Sequence, residues 1–346
     1  MLSVVGERRC NLQCAHCIFQ KETSTRHQSS STKIDVAVRN IIRQMGTQPN
    51  VVHEGRIFQP DHLLWLSRVR AERPDALIGM IDNGSYLNHA DYLRSSGFKF
   101  DWLDISVDGT EKVHNQQRNS TDSFRAAIRG IREATNFLSP GGRVTSLFTL
   151  TTLNYLSVLE TCRLLPKQIQ EWHITTLSPA RPEIASLSVS TEELREAWHQ
   201  VKAAAHLKSV FFRIYFADDF LKLAEVVGQK KILGSAGRAK VDPAAMQLEV
   251  DGVTVIYYPQ SVCTNETFVL DTDCFYRAPY SIAYTLQELH DGVSRFGEDI
   301  SKYTLARVDA TSNFGQLYKA GVQIWKKHFG LRALVKEVSV FDRISQ

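Results

Sequence analysis

The chain has 346 residues, 43% hydrophobic and 23% charged, with a formal net charge of +4. This is the composition of a globular protein with ample core, and six cysteines are too sparse over this length for a disulfide scaffold. No block of five like charges and no apolar run of about 18 residues occurs, which argues against a nucleic-acid tail, a polybasic membrane patch and a helical membrane span.

Met1–Arg9 lacks the charged start and apolar stretch of a signal peptide, so a cytoplasmic protein is expected. Leu2–Gly6 predicts a buried first strand. After the polar stretch Lys21–Thr32, read as a loop, apolar positions at helical spacing (Val38, Ile41, Ile42, Met45) predict a helix over Asp35–Met45, stopped by Gly46. Asn50–His53 is a short strand, and Pro60 opens a helix carrying Leu63, Leu64, Leu66 and Val69. Strands are predicted over Ala76–Ile81, Trp102–Val107, Arg143–Leu150 and Trp172–Leu177. Helices are predicted over His89–Ser96, Ser123–Asn136 and Leu156–Leu165. Six β/α repeats with short connections imply parallel strands and right-handed crossovers. Six fall short of the eight of a closed barrel, so the predicted fold is α/β, a partial (β/α)6 TIM-type barrel that is open.

Beyond the repeats, Ala180–Leu187 is a connection and Thr191–His206 a helix with Ser190 as N-cap and Glu193 completing a capping box. Val210–Phe216 reads as a strand, Asp218–Val227 as a helix and Gly228–Pro243 as a linker. Gln247–Val250, Asp251-Gly252 and Val253–Tyr258 read as a hairpin with an Asp-Gly turn. Leu286–Gly292 and Leu317–His328 read as helices. Two domains are expected: the barrel with flanking elements over 1–227, and a smaller α+β domain over 228–346.

Cys10, Cys14 and Cys17 follow the first strand in the spacing C-x3-C-x2-C. Three close thiolates in a short loop are metal-ligand chemistry. Filling three corners of a four-iron cluster leaves one iron open to another ligand. Structural zinc is the competing assignment, but it usually takes a fourth Cys or His at a recurring spacing, and no second C-x2-C pair follows. His16, lying between two of the cysteines, is awkwardly placed to serve.

This loop resembles that of the radical S-adenosylmethionine (radical SAM) superfamily. Asp82-Asn83-Gly84 is similar to the Thr-Asn-Gly segment of its SPASM/twitch subgroup. Asp104-Ile105-Ser106-Val107-Asp108-Gly109, with His114, Arg118 and Ser123-Phe124, resembles that subgroup's fourth strand and following helix. The resemblance covers residues 1–180 and implies a [4Fe–4S] cluster on Cys10, Cys14 and Cys17, with S-adenosyl-L-methionine (SAM) chelating the open iron. Electron donation then breaks the C5′–S bond, and the 5′-deoxyadenosyl radical takes hydrogen from an unactivated carbon. His16 stands where the family has an aromatic residue beside the adenine. Ser106 and Asp108 are placed to bond the ribose or carboxylate of SAM, Arg118 to pair with the carboxylate, and Asn83 to touch SAM or build the turn. The family's Gly-Gly-Glu-Pro is replaced by His53-Glu54-Gly55-Arg56. Glu54 is one residue early for the SAM ammonium, and His53 and Arg56 are candidates to face a substrate.

Cys162 sits in a helical pattern and reads as core. Cys263 and Cys274 cannot supply an auxiliary cluster, so the C-terminal domain is expected to be a degenerate, cluster-free lid. Either cysteine could be the thiol that returns hydrogen in an epimerase. The cysteine loop begins at residue 10, and the polar residues 53–56 and the aromatic residues Tyr257, Tyr258, Phe275, Tyr276, Tyr280 and Tyr284 suit a polar small molecule. The expected reaction is epimerisation or oxidation of a sugar-like or aminoglycoside-like natural product, served by an electron donor such as flavodoxin or ferredoxin, with no nucleic acid or membrane partner. A peptide-modifying maturase and a non-catalytic iron–sulfur or zinc module are the alternatives.

Overall fold

A computed structural model describes residues 2–5, 10–17, 31–54, 58, 60–177, 182–236, 240–242, 245–258, 268–270, 275–277 and 304–307. The first half alternates strand and helix. Its elements are β1 (Leu2–Val5), α1 (Ser31–Gln44), β2 (Asn50–Glu54), α2 (Pro60–Glu72), β3 (Leu77–Asp82), α3 (Ala90–Ser96), β4 (Phe100–Ser106), α4 (Glu111–Arg118), α5 (Ser123–Glu133), β5 (Leu138–Leu150), α6 (Val158–Leu164) and β6 (Glu171–Thr176). There follow α7 (Pro182–Ala185), α8 (Thr191–Ala205), β7 (Ser209–Ile214), α9 (Ala217–Val227), α10 (Gln229–Ala236), β8 (Lys240–Asp242), β9 (Ala245–Val250), β10 (Val253–Tyr257), β11 (Phe268–Leu270), β12 (Phe275–Arg277) and β13 (Thr304–Arg307).

β1 to β7 lie side by side in chain order, each parallel to the next. Parallel neighbours need crossovers, and the helices between them supply these. β7 thus extends the predicted six strands to seven. At one edge β10 pairs parallel with β7, and at the other β11 pairs parallel with β1. The order runs from β13 to β8, and these two ends do not pair with each other. The architecture is the open, partial TIM-type barrel that the alternation predicts. The predicted hairpin is present, with Val250 opposite Val253 and the turn residues Asp251 and Gly252 at φ 53° and 79°. Its second strand, β10, lies between β7 and β9 and so belongs to the barrel's own sheet.

The core lies between strands and helices. Val38, Ile41 and Ile42 of α1 and Leu63, Leu66 and Val69 of α2 are buried as their spacing predicts, each stabilising by about 1.5–3 kcal/mol. Leu64 is instead 45% exposed, and Trp65 takes the inward position. α1 begins at Ser31 rather than Asp35, and its buried Asp35 receives Arg68 of α2 at 2.5 Å. The capping box of α8 forms: Glu193 N donates to Ser190 Oγ at 3.2 Å and Ser190 N to Glu193 Oε2 at 2.8 Å. Residues 229–236, read as linker, are helical. α4 was not predicted, because its sequence EKVHNQQR has no apolar stripe; the face it buries is polar. The helices read at 286–292 and 317–328 lie outside the described residues. Among those described, no helix is long and apolar enough to cross a membrane.

Gly84, in the turn after β3, has φ 94°, and an added Cβ would lie 2.6 Å from the backbone oxygen of Ala126 in α5. Gly84→Ala therefore combines left-handed strain with a backbone clash. A loss of about 2–4 kcal/mol in urea unfolding is expected; an unchanged midpoint would show that the turn and α5 separate freely.

Candidate cluster site

Three loops meet at the C-terminal ends of the parallel strands, where parallel α/β folds place their sites. The cysteine loop follows β1, Asn83-Gly84 follows β3, and Asp108-Gly109 follows β4. Of the three cysteines, Cys14 is buried and Cys10 and Cys17 are partly buried. The loop is tied at both flanks. Ala15 N donates to Gln117 O in the last turn of α4 at 2.8 Å. Asn83 Nδ2 donates to Asn11 Oδ1 at 2.9 Å, while Asn83 Oδ1 accepts from Ser85 N at 3.0 Å. Asn83 thus builds its turn and holds the cysteine loop at once. Leu12 N donates to Cys10 Sγ at 3.4 Å, and Cys17 N to Cys14 O at 3.1 Å.

Asp108 is the hub. It is completely buried. Its Oδ2 accepts from Arg118 Nε and pairs with Nη2, both at 2.5 Å, and its Oδ1 accepts from Thr149 N at 2.8 Å. Asp108 N donates to His114 Nδ1 at 2.9 Å, and Asn154 Nδ2 donates to Asp108 O at 2.9 Å. Gln117 is drawn in through Thr149 O at 3.2 Å and Thr151 Oγ1 at 2.8 Å. Gly109, at φ 155°, admits the approach of α4, since a Cβ there would lie 2.8 Å from Val113. The guanidinium's remaining arm, Nη1, reaches Cys14 Sγ at 3.8 Å. His114, Gln117 and Arg118 stand at i, i+3 and i+4 on one face of α4; that spacing is the signal by which Gln117 could have been found.

Burial pushes the Cys14 thiol up to about 11, with Arg118 opposing it. A positive metal partner and the guanidinium both favour the thiolate. Burial also lowers His16 to about 4, against the pull of Asp108, whose Oδ2 lies 3.8 Å from His16 Nε2. His16 is therefore a neutral ring beside the loop. Among the described residues, no three His, Cys, Asp or Glu side chains are arranged to hold one metal ion. A donor set of three thiolates separated along a loop fits a multi-iron cluster, whose iron corners stand apart.

Ser106 ends β4 and is partly buried. Glu54 ends β2. Asp108, expected to bond SAM, has both oxygens occupied within the protein. His53 does not face the barrel interior. It is buried against His62, Trp65 and Phe58, with ring centroids at 4.4, 6.1 and 6.0 Å, because side chains alternate along β2 and its position points toward α2. Arg56, Cys263 and Cys274 lie outside the described residues. Cys162 is 1% exposed in the core.

The family model for the Radical SAM superfamily matches residues 5–165. The fold is similar to that of Streptococcus suis SuiB bound to S-adenosylmethionine, with TM-score 0.54 and 10% identity over 80% of this chain and 59% of that one. SuiB bound to the precursor peptide SuiA gives 0.54 and 11%, over 88% and 64%. Native anSMEcpe with bound AdoMet gives 0.50 and 13%, over 96% and 99%. At these identities the likeness is one of fold. No match was found among curated proteins.

Burial raises the Asp108 pKa, but Arg118 and the neighbouring histidines outweigh it and hold the carboxyl below its ordinary 3.8. Stability from a depressed carboxyl is fully present above that ordinary value and lost as pH falls through the lower folded one. Asp108→Asn leaves Arg118 an uncompensated buried cation and should cost about 3–5 kcal/mol near neutral pH. It should also flatten the acid limb of a stability–pH curve. Equal acid limbs in the two proteins would remove the pair from this role.

Proposed function

We propose that this chain is a radical SAM enzyme, as the family match over residues 5–165 supports, that Cys10, Cys14 and Cys17 hold its [4Fe–4S] cluster, and that the barrel interior receives a polar small molecule. With SAM bound, the cluster supplies a 5′-deoxyadenosyl radical that takes hydrogen from a substrate carbon. The observation that carries the reading is the fastening of the cysteine loop: Arg118 spans Asp108 and Cys14, so the loop of thiols, the end of β4 and α4 form one body. Such second contacts orient metal ligands and tune the metal. His16 lies against Asp108 as a neutral ring, suited to the adenine. Ser106 and Glu54, at the ends of β4 and β2, are the residues assigned to the polar groups of SAM.

The polar substrate is supported by the barrel wall, where Asp104, Thr145, His173 and Arg213 stand on β4 to β7. Epimerisation is the preferred reaction and oxidation the other. In epimerisation the substrate loses hydrogen on one face, and the S–H of Cys263 or Cys274 returns hydrogen to the opposite face. An electron from flavodoxin or ferredoxin, with a proton, restores the thiol. The division at residue 227, a cluster-free C-terminal lid and a cytoplasmic setting, where thiols stay reduced, belong to the same reading. A peptide substrate is the second reading, favoured by the precursor peptide bound in the similar SuiB structure.

Anaerobically reconstituted protein given SAM and reductant should release 5′-deoxyadenosine. Cys10→Ala, Cys14→Ala and Cys17→Ala should each abolish both this release and the iron–sulfur absorbance. Release by any alanine variant with a full iron complement would overturn the ligand assignment. Once a substrate is in hand, turnover in D2O should place deuterium on the product carbon. Cys263→Ala or Cys274→Ala should remove that label; loss in neither variant ends the thiol-donor proposal.

A further inference from the structure

The inner wall of the barrel holds a second polar group, apart from the cysteine loop. On β7, Val210, Phe212 and Ile214 are buried toward the helices, with Phe212 against Trp198 of α8 at 5.6 Å. Alternation therefore turns Arg213 to the opposite, interior face. Asp104 of β4 feels its charge, although β5 and β6 intervene, a path of about 14 Å along the sheet. The two groups approach across the barrel.

Arg213 Nε is buried and has no hydrogen-bond partner among the described residues. Tyr215 and Tyr258 stack beside it, with ring centroids 4.9 Å apart and planes at 12°; Tyr215 bonds its guanidinium. No described carboxylate forms an ion pair with it, and Asp104 is occupied by the hydroxyl of Thr145. On β6, His173 is 5% exposed, and its Nδ1 is likewise buried without a partner among the described residues. Its ring lies on Phe211 at 5.0 Å, and its Nε2 is 3.7 Å from Glu171 Oε2. Burial and the nearby Arg213 and Arg143 lower its pKa to about 3, so the imidazole is neutral. Buried charges and polar atoms are ordinarily satisfied. Here a guanidinium donor and an imidazole nitrogen are both left over in the same interior.

We propose that Arg213 and His173 anchor the substrate, Arg213 taking a carboxylate and His173 Nδ1 accepting from a hydroxyl or amine N–H of the same molecule. The ligand class is a small, carboxylate-bearing molecule with an apolar body that lies on Tyr215 and Tyr258. A single guanidinium with Asp104 and Glu171 in the same wall suits a monoanion better than a phosphate dianion. This deepens the reading of the barrel as the substrate chamber and rests on it for the ligand's role as substrate, not for the binding itself.

The test is ligand-observed NMR with cluster-loaded protein, without reductant, at fixed ionic strength. Benzoate, benzamide and phenyl phosphate serve as probes. Benzoate should bind about tenfold more tightly than benzamide and more tightly than phenyl phosphate. Arg213→Gln should erase the preference over benzamide, while Arg213→Lys should keep part of it. Equal binding of benzoate and benzamide by the wild type overturns the proposal without any variant, and so does a preference that survives in a folded Arg213→Gln protein. Tighter binding of phenyl phosphate overturns the carboxylate assignment. The assay involves no SAM cleavage. A protein that makes no 5′-deoxyadenosine but discriminates the probes therefore loses the radical reading and keeps the anion site.

Discussion

The buried pair between Asp108 and Arg118 is the constraint on which the site depends. A carboxylate and a guanidinium taken out of water are costly unless their remaining valences are filled. Here every one of those fillings is also a structural joint. Thr149 N brings β5, Asn154 the turn after it, His114 and Arg118 the polar face of α4, and Cys14 the thiol loop. No member can shift alone without leaving a charge or a polar atom unpaired in a low-dielectric interior. Rigidity at the cysteine loop, which has no helix or strand of its own over residues 10–17, is thus borrowed from an ion pair on neighbouring elements.

The same pair explains what could be read in the sequence and what could not. The barrel was legible because apolar runs and helical spacings repeat with short polar breaks, and most of the positions singled out in α1 and α2 are core. The cysteine loop was legible because thiolate spacing is chemistry written in the chain. α4 was not, since a helix that buries His114, Gln117 and Arg118 looks like a solvated loop to any test of apolar periodicity. Arg118 was noticed, yet its partners Asp108 and Cys14 lie 10 and 104 residues away, and only the fold brings the last within reach. His53 was misplaced for a related reason: period-two alternation says that neighbours face opposite ways but not which of them faces inward.

Two polar environments share this barrel and differ in kind. Both carboxylate oxygens of Asp108 are filled from within the protein, as suits a part whose work is to stay still. At Arg213 and His173 a buried donor and a buried ring nitrogen are left over, an arrangement that a group from outside the chain would complete. That contrast separates scaffold from binding wall within one fold.

The pairing of β1 has a consequence for how the molecule is assembled. Residue 2 lies beside residue 51 on one side and residue 268 on the other. The second contact closes a very long loop, and such closures come late because chain entropy opposes them until other contacts exist. The strand that presents the thiols is therefore fully flanked only after most of the chain has been made and ordered.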